Sequence, residues 1–294
     1  MRALLFLLLL TARGISKADV SAVDSDGRRV TLAAPAQRIV SLAPHVTELL
    51  FAAGAGAKVA AVSEYSDYPE AAKKLPRVAS SSTIDLERVL ALRADLAIAW
   101  RLSATGQSLD RLKALGVPVF YSEPHRLADI PDQLEALGAL AGTEAVAHPA
   151  AAQLRSALAQ LRADFAARPQ LTVFYQLAEK PLMTINRHQF ISDALAICGA
   201  RNIFADAPTI APVVSPEAVL AADPDVIITT ERASPEAWKR FPGLRATRDG
   251  NFVTVRASVM HRHGPRVFAA TRDLCEQLDA ARARASRLKA ASPR

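Results

Sequence analysis

The sequence predicts an α/β protein of two Rossmann-like lobes with parallel sheets, joined by one long backbone helix and facing each other across a ligand cleft. Three observations carry this. Short, nearly continuous apolar segments alternate with helical patterns, as parallel strands covered on both faces require. A segment of the first half, 85–100, recurs in the second half at 215–230. Between the halves lies one amphipathic stretch without the Gly/Ser or Pro content of a flexible linker.

Residues 1–18, MRALLFLLLLTARGISKA, read as a secretory leader. Arg2 supplies the positive start, 3–10 the apolar run, and Ser16-Lys17-Ala18 a small-residue cleavage site. The run is too short to span a bilayer, and no Cys follows it to carry a lipid anchor. The expected mature chain is therefore periplasmic. Export also removes three basic residues, so the formal charge falls from +7 to +4. With aromatics at 5% and no dense Lys/Arg block, nucleic acid is not an expected partner.

The first lobe, 19–143, has strand segments at 38–42 (RIVSL), 58–63 (KVAAVS), 96–100 (LAIAW) and 118–122 (PVFYS). Helical spacing fills 47–53, 86–92 and 106–115. The linking helix, 144–168, places Leu154, Leu158, Leu161 and Phe165 on one face, with Pro149 near its start and Pro169 after its end. Such a strut limits hinge closure. The second lobe, 169–294, repeats the rhythm at 171–177 (LTVFYQL), 202–205 (NIFA), 226–230 (VIITT) and 252–255 (FVTV). The repeat aligns without gaps at an offset of 130 residues and pairs Glu87 with Glu217, Val89 with Val219, Leu90 with Leu220 and Asp95 with Asp225. Falling at the same place in two α/β halves, it points to a pseudo-twofold. The two cysteines, Cys198 and Cys275, make an even count in an exported chain, which predicts one disulfide.

The run RIVSLAPHVTELLFAAGAGAKVAAVSEYSDYPEAAKKLPRV, with DLERVLALRADLAIAWR, ICGARNIFADAP and VSPEAVLAADPDVIIT, resembles the helical-backbone class of periplasmic binding proteins. These feed ABC importers of metal-chelate nutrients, and the likeness covers nearly the whole mature chain. Within the class it is greatest to the cobalamin-binding members. The resemblance implies a monomer with no cofactor of its own, which captures cobalamin or a related corrinoid and hands it to a permease and its ATPase at the inner membrane. Haem or a ferric siderophore is the alternative cargo.

In the cobalamin binders aromatic side chains clamp the flat corrin, and Tyr65 of YSDYP and Trp100 of AWR match two of them. Two further tryptophans are missing, their places falling at Ser81 and Ala211, and an acidic contact falls near Ser258. Histidines stand in loops after strands, where open α/β sheets bind ligands: His45, His188, His261 and His263. Imidazole can ligate the metal of a bound chelate, which makes His261 and His263 candidate axial ligands, but the set is too small for a protein-built metal site. Glu87 and Glu217 each fall in the first turn of a capped helix, where the helix dipole favours a carboxylate. The resemblance further implies that this pair, one acid per lobe, seats in arginine pockets of the permease.

A cleft enzyme is the remaining class. No G-x-S-x-G, G-x-x-x-x-G-K-[ST], H-E-x-x-H or G-x-G-x-x-G motif occurs, and Gly54-Ala-Gly56 follows an apolar helix rather than a strand. Binding, not turnover, is the expectation.

Overall fold

Strands whose residues are almost all buried build the two sheets. The computed structural model describes residues 19–101 and 105–291; the expected leader, 1–18, lies outside them. An antiparallel hairpin, β1 (Val20–Val23) and β2 (Arg29–Leu32), comes first. The first lobe then threads β3 (Ile39–Ser41), α1 (Pro44–Ala52), β4 (Val59–Ser63), β5 (Arg77–Ala79), α2 (Leu86–Ala91), β6 (Leu96–Ala99), α3 (Gly106–Ala114), β7 (Val119–Tyr121) and α4 (Asp129–Ala141). Its sheet runs β5-β4-β3-β6-β7, parallel throughout.

After α5 (Glu144–Phe165), the second lobe threads β8 (Leu171–Tyr175), α6 (Phe190–Ile197), β9 (Ala200–Asn202), α7 (Pro216–Ala222), β10 (Val226–Thr230), α8 (Glu236–Lys239), α9 (Arg245–Arg248), β11 (Phe252–Val255), α10 (Ala257–Met260) and α11 (Val267–Ala291). This sheet runs β11-β10-β8-β9, also parallel. The chain thus forms the two α/β lobes its apolar strands predict. One strand is displaced: β9 is Ala-Arg-Asn at 200–202, not the expected 202–205. Asn202 is the reason, since its buried side chain accepts from the Tyr175 N–H (3.1 Å) and donates to Thr184 Oγ1 (2.9 Å), ending the strand where NIFA begins.

In each sheet the strand order reverses once, between β3 and β6 and between β8 and β10. Crevices at such reversals, beyond the carboxyl ends of the strands, are where doubly wound sheets bind ligands.

α5 is fastened to both lobes. Gly138 of α4 lets it approach closely, because a Cβ there would lie 2.3 Å from the Ala147 Cβ. Arg155 of α5 reaches Asp132 (2.7 Å) and Glu135 (2.7 Å) of α4, and Arg272 of α11 reaches Asp164 of α5 (2.8 Å). Leu134, Leu137, Ala147, Leu158, Leu161, Phe165, Leu195 and Leu278 belong to one contiguous apolar cluster that spans both lobes and the strut. Among the described residues no helix is long and apolar enough to cross a membrane.

Cys198, at the end of α6, and Cys275, in α11, form a buried disulfide across a 77-residue separation. A loop of that length should add about 4.5 kcal/mol by restricting the unfolded chain. Replacing both cysteines by Ser is expected to lower the urea-unfolding free energy by about that amount. An unchanged unfolding curve would show that α6 and α11 are held by packing alone.

Candidate functional site

The loops after β3, β4 and β6 meet the segment after β11 at the junction of the lobes. His45 does not stand in a loop: it occupies the first turn of α1 and is only 5% exposed. Its Nε2–H donates to the Ser122 carbonyl (3.0 Å), which leaves Nδ1 as the unprotonated nitrogen. Trp100, after β6, touches it edge-on at a ring-centroid distance of 5.9 Å. From the other lobe the His263 ring lies 5.6 Å from His45 and 5.9 Å from Trp100, and stacks at 4.2 Å on Phe190 of α6. The structure therefore brings His45, Trp100 and His263 together as an aromatic floor spanning the lobes. Trp100 and His263 meet edge to face, so these two rings do not form an open slot between them.

Burial keeps these imidazoles neutral. Desolvation lowers His45 to about 4, and desolvation followed by repulsion from His45, His125 and His261 lowers His263 to about 3. His261 caps α10, half-buried, with Nε2 2.9 Å from the Tyr175 hydroxyl, and burial lowers it to about 4. Burial also raises the Tyr175 phenol, so it stays protonated and can donate to His261. His263 Nδ1 is buried with no hydrogen-bond partner.

Tyr65 stands apart from the floor, 70% exposed after β4, with its backbone at φ 60°. Its carbonyl accepts from Arg262 Nη2 (2.8 Å) across the lobe junction. Arg262 also donates to Asp67 Oδ1 (2.6 Å), holding that carboxyl below its usual range, and to Glu48 Oε1 (3.2 Å). Glu48, in α1, is 3% exposed and is gripped again by Arg266 at 2.9 and 2.5 Å. Sequence reading missed Glu48, Arg262 and Arg266. The available signal was a lone carboxylate inside the apolar run of α1, which demands a cationic partner from elsewhere.

His188 is not part of this group. It is exposed and lines a cavity of about 590 Å³ along α6 and β9 with Arg126, Arg187 and Arg201, a lining that includes none of Tyr65, Trp100, His45, His261 or His263. Ser81 is exposed and Ala211 half-buried. Ser258 contributes its carbonyl to Arg266 (3.1 Å). Among the described residues no group of three or more His, Cys, Asp or Glu side chains is placed to hold a metal ion.

Glu87 and Glu217 are both exposed, in the first turns of α2 and α7. Asp85 accepts from the Arg88 N–H (2.9 Å) and Ser215 from the Ala218 N–H (3.2 Å), so each helix has its own cap and neither Glu is needed for that role. Hydrogen bonds from its own backbone N–H and from Ser215 hold the Glu217 carboxyl below the usual carboxylate range.

Residues 39–258 match the family model described as periplasmic binding protein. The chain belongs to the periplasmic binding protein family. This member is 39% identical over 247 residues to the vitamin B12-binding protein of Vibrio cholerae, covering 83% of this chain and 90% of that one. It is also 39% identical over 248 residues to the vitamin B12-binding protein of Yersinia pestis, covering 83% and 86%. The crystal structure of the periplasmic vitamin B12-binding protein BtuF of Vibrio cholerae superposes with a TM-score of 0.80 over 84% of this chain and 98% of that one. The periplasmic heme-binding protein RhuT from Roseiflexus, 28% identical, gives 0.72 over 83% and 98%.

The neutral histidines of this binding protein make its stability pH-dependent in a definite sense. His45, His261 and His263 have folded-state values depressed to about 4, 4 and 3 from an unfolded 6.5. The unfolded chain therefore binds more protons as pH falls from 6.5 towards 4, and stability present above 6.5 is lost across that window. The urea-unfolding midpoint should drop steadily from pH 6.5 to 4, and the His45→Gln, His263→Gln double variant should show a shallower slope. Equal slopes would mean that other groups carry the effect.

Proposed function

We propose that this chain is the substrate-capturing component of an ABC importer, exported to the periplasm by removal of residues 1–18 and working as a monomer with lobes 19–143 and 169–294 about the linking helix 144–168. Its cargo is cobalamin or a related corrinoid. The observation that carries this reading is the 39% identity to vitamin B12-binding proteins over 83% of the chain, which includes the aromatics Tyr65 and Trp100 at the lobe junction. The corrin ring lies at the lobe junction beside Trp100, which the buried His45 and His263 rings back, against the exposed Tyr65 ring on the first lobe and the His261 loop on the second. Apolar and aromatic surface suits a broad planar ligand, since it buries much area at little conformational cost. The small side chains at Ser81 and Ala211 leave more room than two tryptophans would.

Haem or a ferric siderophore is the second reading. The neutral imidazole of His261 is the observation that favours it, because in the tautomer whose Nε2–H donates to the Tyr175 hydroxyl oxygen its Nδ1 lone pair is free to act as an axial ligand to iron. Titration of the mature chain separates the two. Saturable 1:1 binding of cyanocobalamin by calorimetry, with hemin giving no Soret band that His261→Ala displaces, supports the corrinoid. The reverse pattern replaces it with the chelate of iron.

Delivery rests on Glu87 and Glu217, paired across the lobes and seated in cationic pockets of the permease, whose ATPase drives transport. Two charge-assisted contacts at separated points fix orientation as well as affinity. Replacing either Glu by Ala should leave cyanocobalamin binding unchanged and weaken capture by the permease more than about tenfold, and the double variant should abolish uptake. Normal uptake by a folded, ligand-competent double variant would remove both residues from docking.

A further inference from the structure

Tyr65 presents a problem that its own side chain does not solve. A φ of 60° places a bulky residue in the left-handed region, which such residues adopt only where the surroundings impose it. The ring is 70% exposed, so packing of the side chain does not impose it. The restraint acts on the backbone. Within the turn, the Asp67 N–H donates to the Tyr65 carbonyl at 2.9 Å. From the opposite lobe, Arg262 Nη2 donates to the same carbonyl at 2.8 Å while Nη1 takes Asp67 Oδ1 at 2.6 Å. One guanidinium thus closes both ends of the turn.

Arg262 is itself well fixed. Its side chain is only 12% exposed, and Nη1 also meets the buried Glu48 carboxylate at 3.2 Å. The segment that carries it presses on Glu48, because a Cβ on Gly264 would stand 3.0 Å from Glu48 Oε2. A planar, five-donor fork can serve three acceptors at once; a lysine ammonium in the same place cannot match that geometry. Everything Arg262 holds here belongs to the first lobe, and Arg262 belongs to the second.

We propose that Arg262 is a positioning residue for the ligand clamp: from the second lobe it holds Tyr65 of the first lobe in its left-handed turn, completing the restraint that Arg77 of the first lobe begins by donating to the Ser63 and Ser66 carbonyls at 3.0 and 2.9 Å. This rests on the corrinoid reading for the identity of the cargo, but not for the link between Arg262 and the turn.

The test has a ligand-free arm and a binding arm, on the mature chain. In the first, amide hydrogen exchange is followed at residues 64–68 and, as reference, in α4, which Arg262 does not hydrogen-bond. Arg262→Gln should speed exchange at the Asp67 amide at least about tenfold and leave α4 unchanged. Arg262→Lys, which keeps a cation beside Glu48 and so protects folding, should do the same. In the second arm, cyanocobalamin affinity should fall by a similar factor in Arg262→Gln and Tyr65→Ala, and the double variant should be no weaker than Tyr65→Ala alone. Unchanged exchange at 64–68 in both Arg262 variants overturns the proposal, as do losses that add in the double variant, which would make Arg262 a direct ligand contact. If the wild-type chain takes up no cyanocobalamin, the corrinoid reading falls and the exchange arm still decides the positioning role.

Discussion

A single buried carboxylate sets the relation between the lobes. Glu48 sits in the apolar helix α1 at 3% exposure, and an unpaired carboxylate at that depth is strongly disfavoured. Its ion-pair partners among the described residues, Arg262 and Arg266, come from the other lobe. The lobes must therefore meet in one arrangement for the charge to be satisfied. A buried ion cluster adds little net stability over an apolar contact of the same shape, and its effect here is to select that arrangement. His263 follows from it, delivered between Phe190 and the His45–Trp100 pair, and so does the Arg262 contact to the Tyr65 carbonyl.

The strut and the shared core hold the same arrangement from behind. α5 is ion-paired to α4 on one side and to α11 on the other, and apolar residues of both lobes pack into one cluster around it. Asp193 of α6 adds a further link, accepting from the Leu127 N–H of the first lobe at 2.8 Å. A cleft built this way is largely organised before ligand arrives, so little binding energy is lost to ordering it. The neutral histidines of the floor fit the same economy of charge, since the junction already carries the guanidinium of Arg262 and protonation beside it would be doubly unfavourable.

The parts legible in the sequence are those where one physical pattern dominates. VIITT and LAIA are buried along their whole length and read as strands, and the leucine spacing of 154–161 read as a helix, expected to reach 168 and ending at Phe165. The repeat at 130 residues marked equivalent capped helices, α2 and α7. What stayed hidden lacked such a pattern. β1 and β2 bury few side chains, β5 is three residues long, and α11 is so rich in Arg and Ala that its buried face, Leu274, Cys275 and Leu278, does not stand out. At the site, the histidines of Met260-His261-Arg262-His263 stand out by their chemistry, and the arginine between them, which bonds Glu48, Asp67 and Tyr65 of the other lobe, does not. No local rule pairs Glu48 with residues more than 200 positions away; only the tertiary fold does.

The account turns on lobes that are pinned and not hinged. The direct measurement is the distance between spin labels on cysteines placed at Ala91 and Ala221, exposed positions on α2 and at the equivalent place on α7, in a chain whose own cysteines are bonded to each other. The account predicts one narrow distance distribution that moves by less than about 2 Å when cyanocobalamin is added, and that broadens in Glu48→Gln. A wild-type distribution that is already broad, or a ligand-driven shift well beyond about 2 Å, would show that the lobes swing freely and that Glu48 does not hold them.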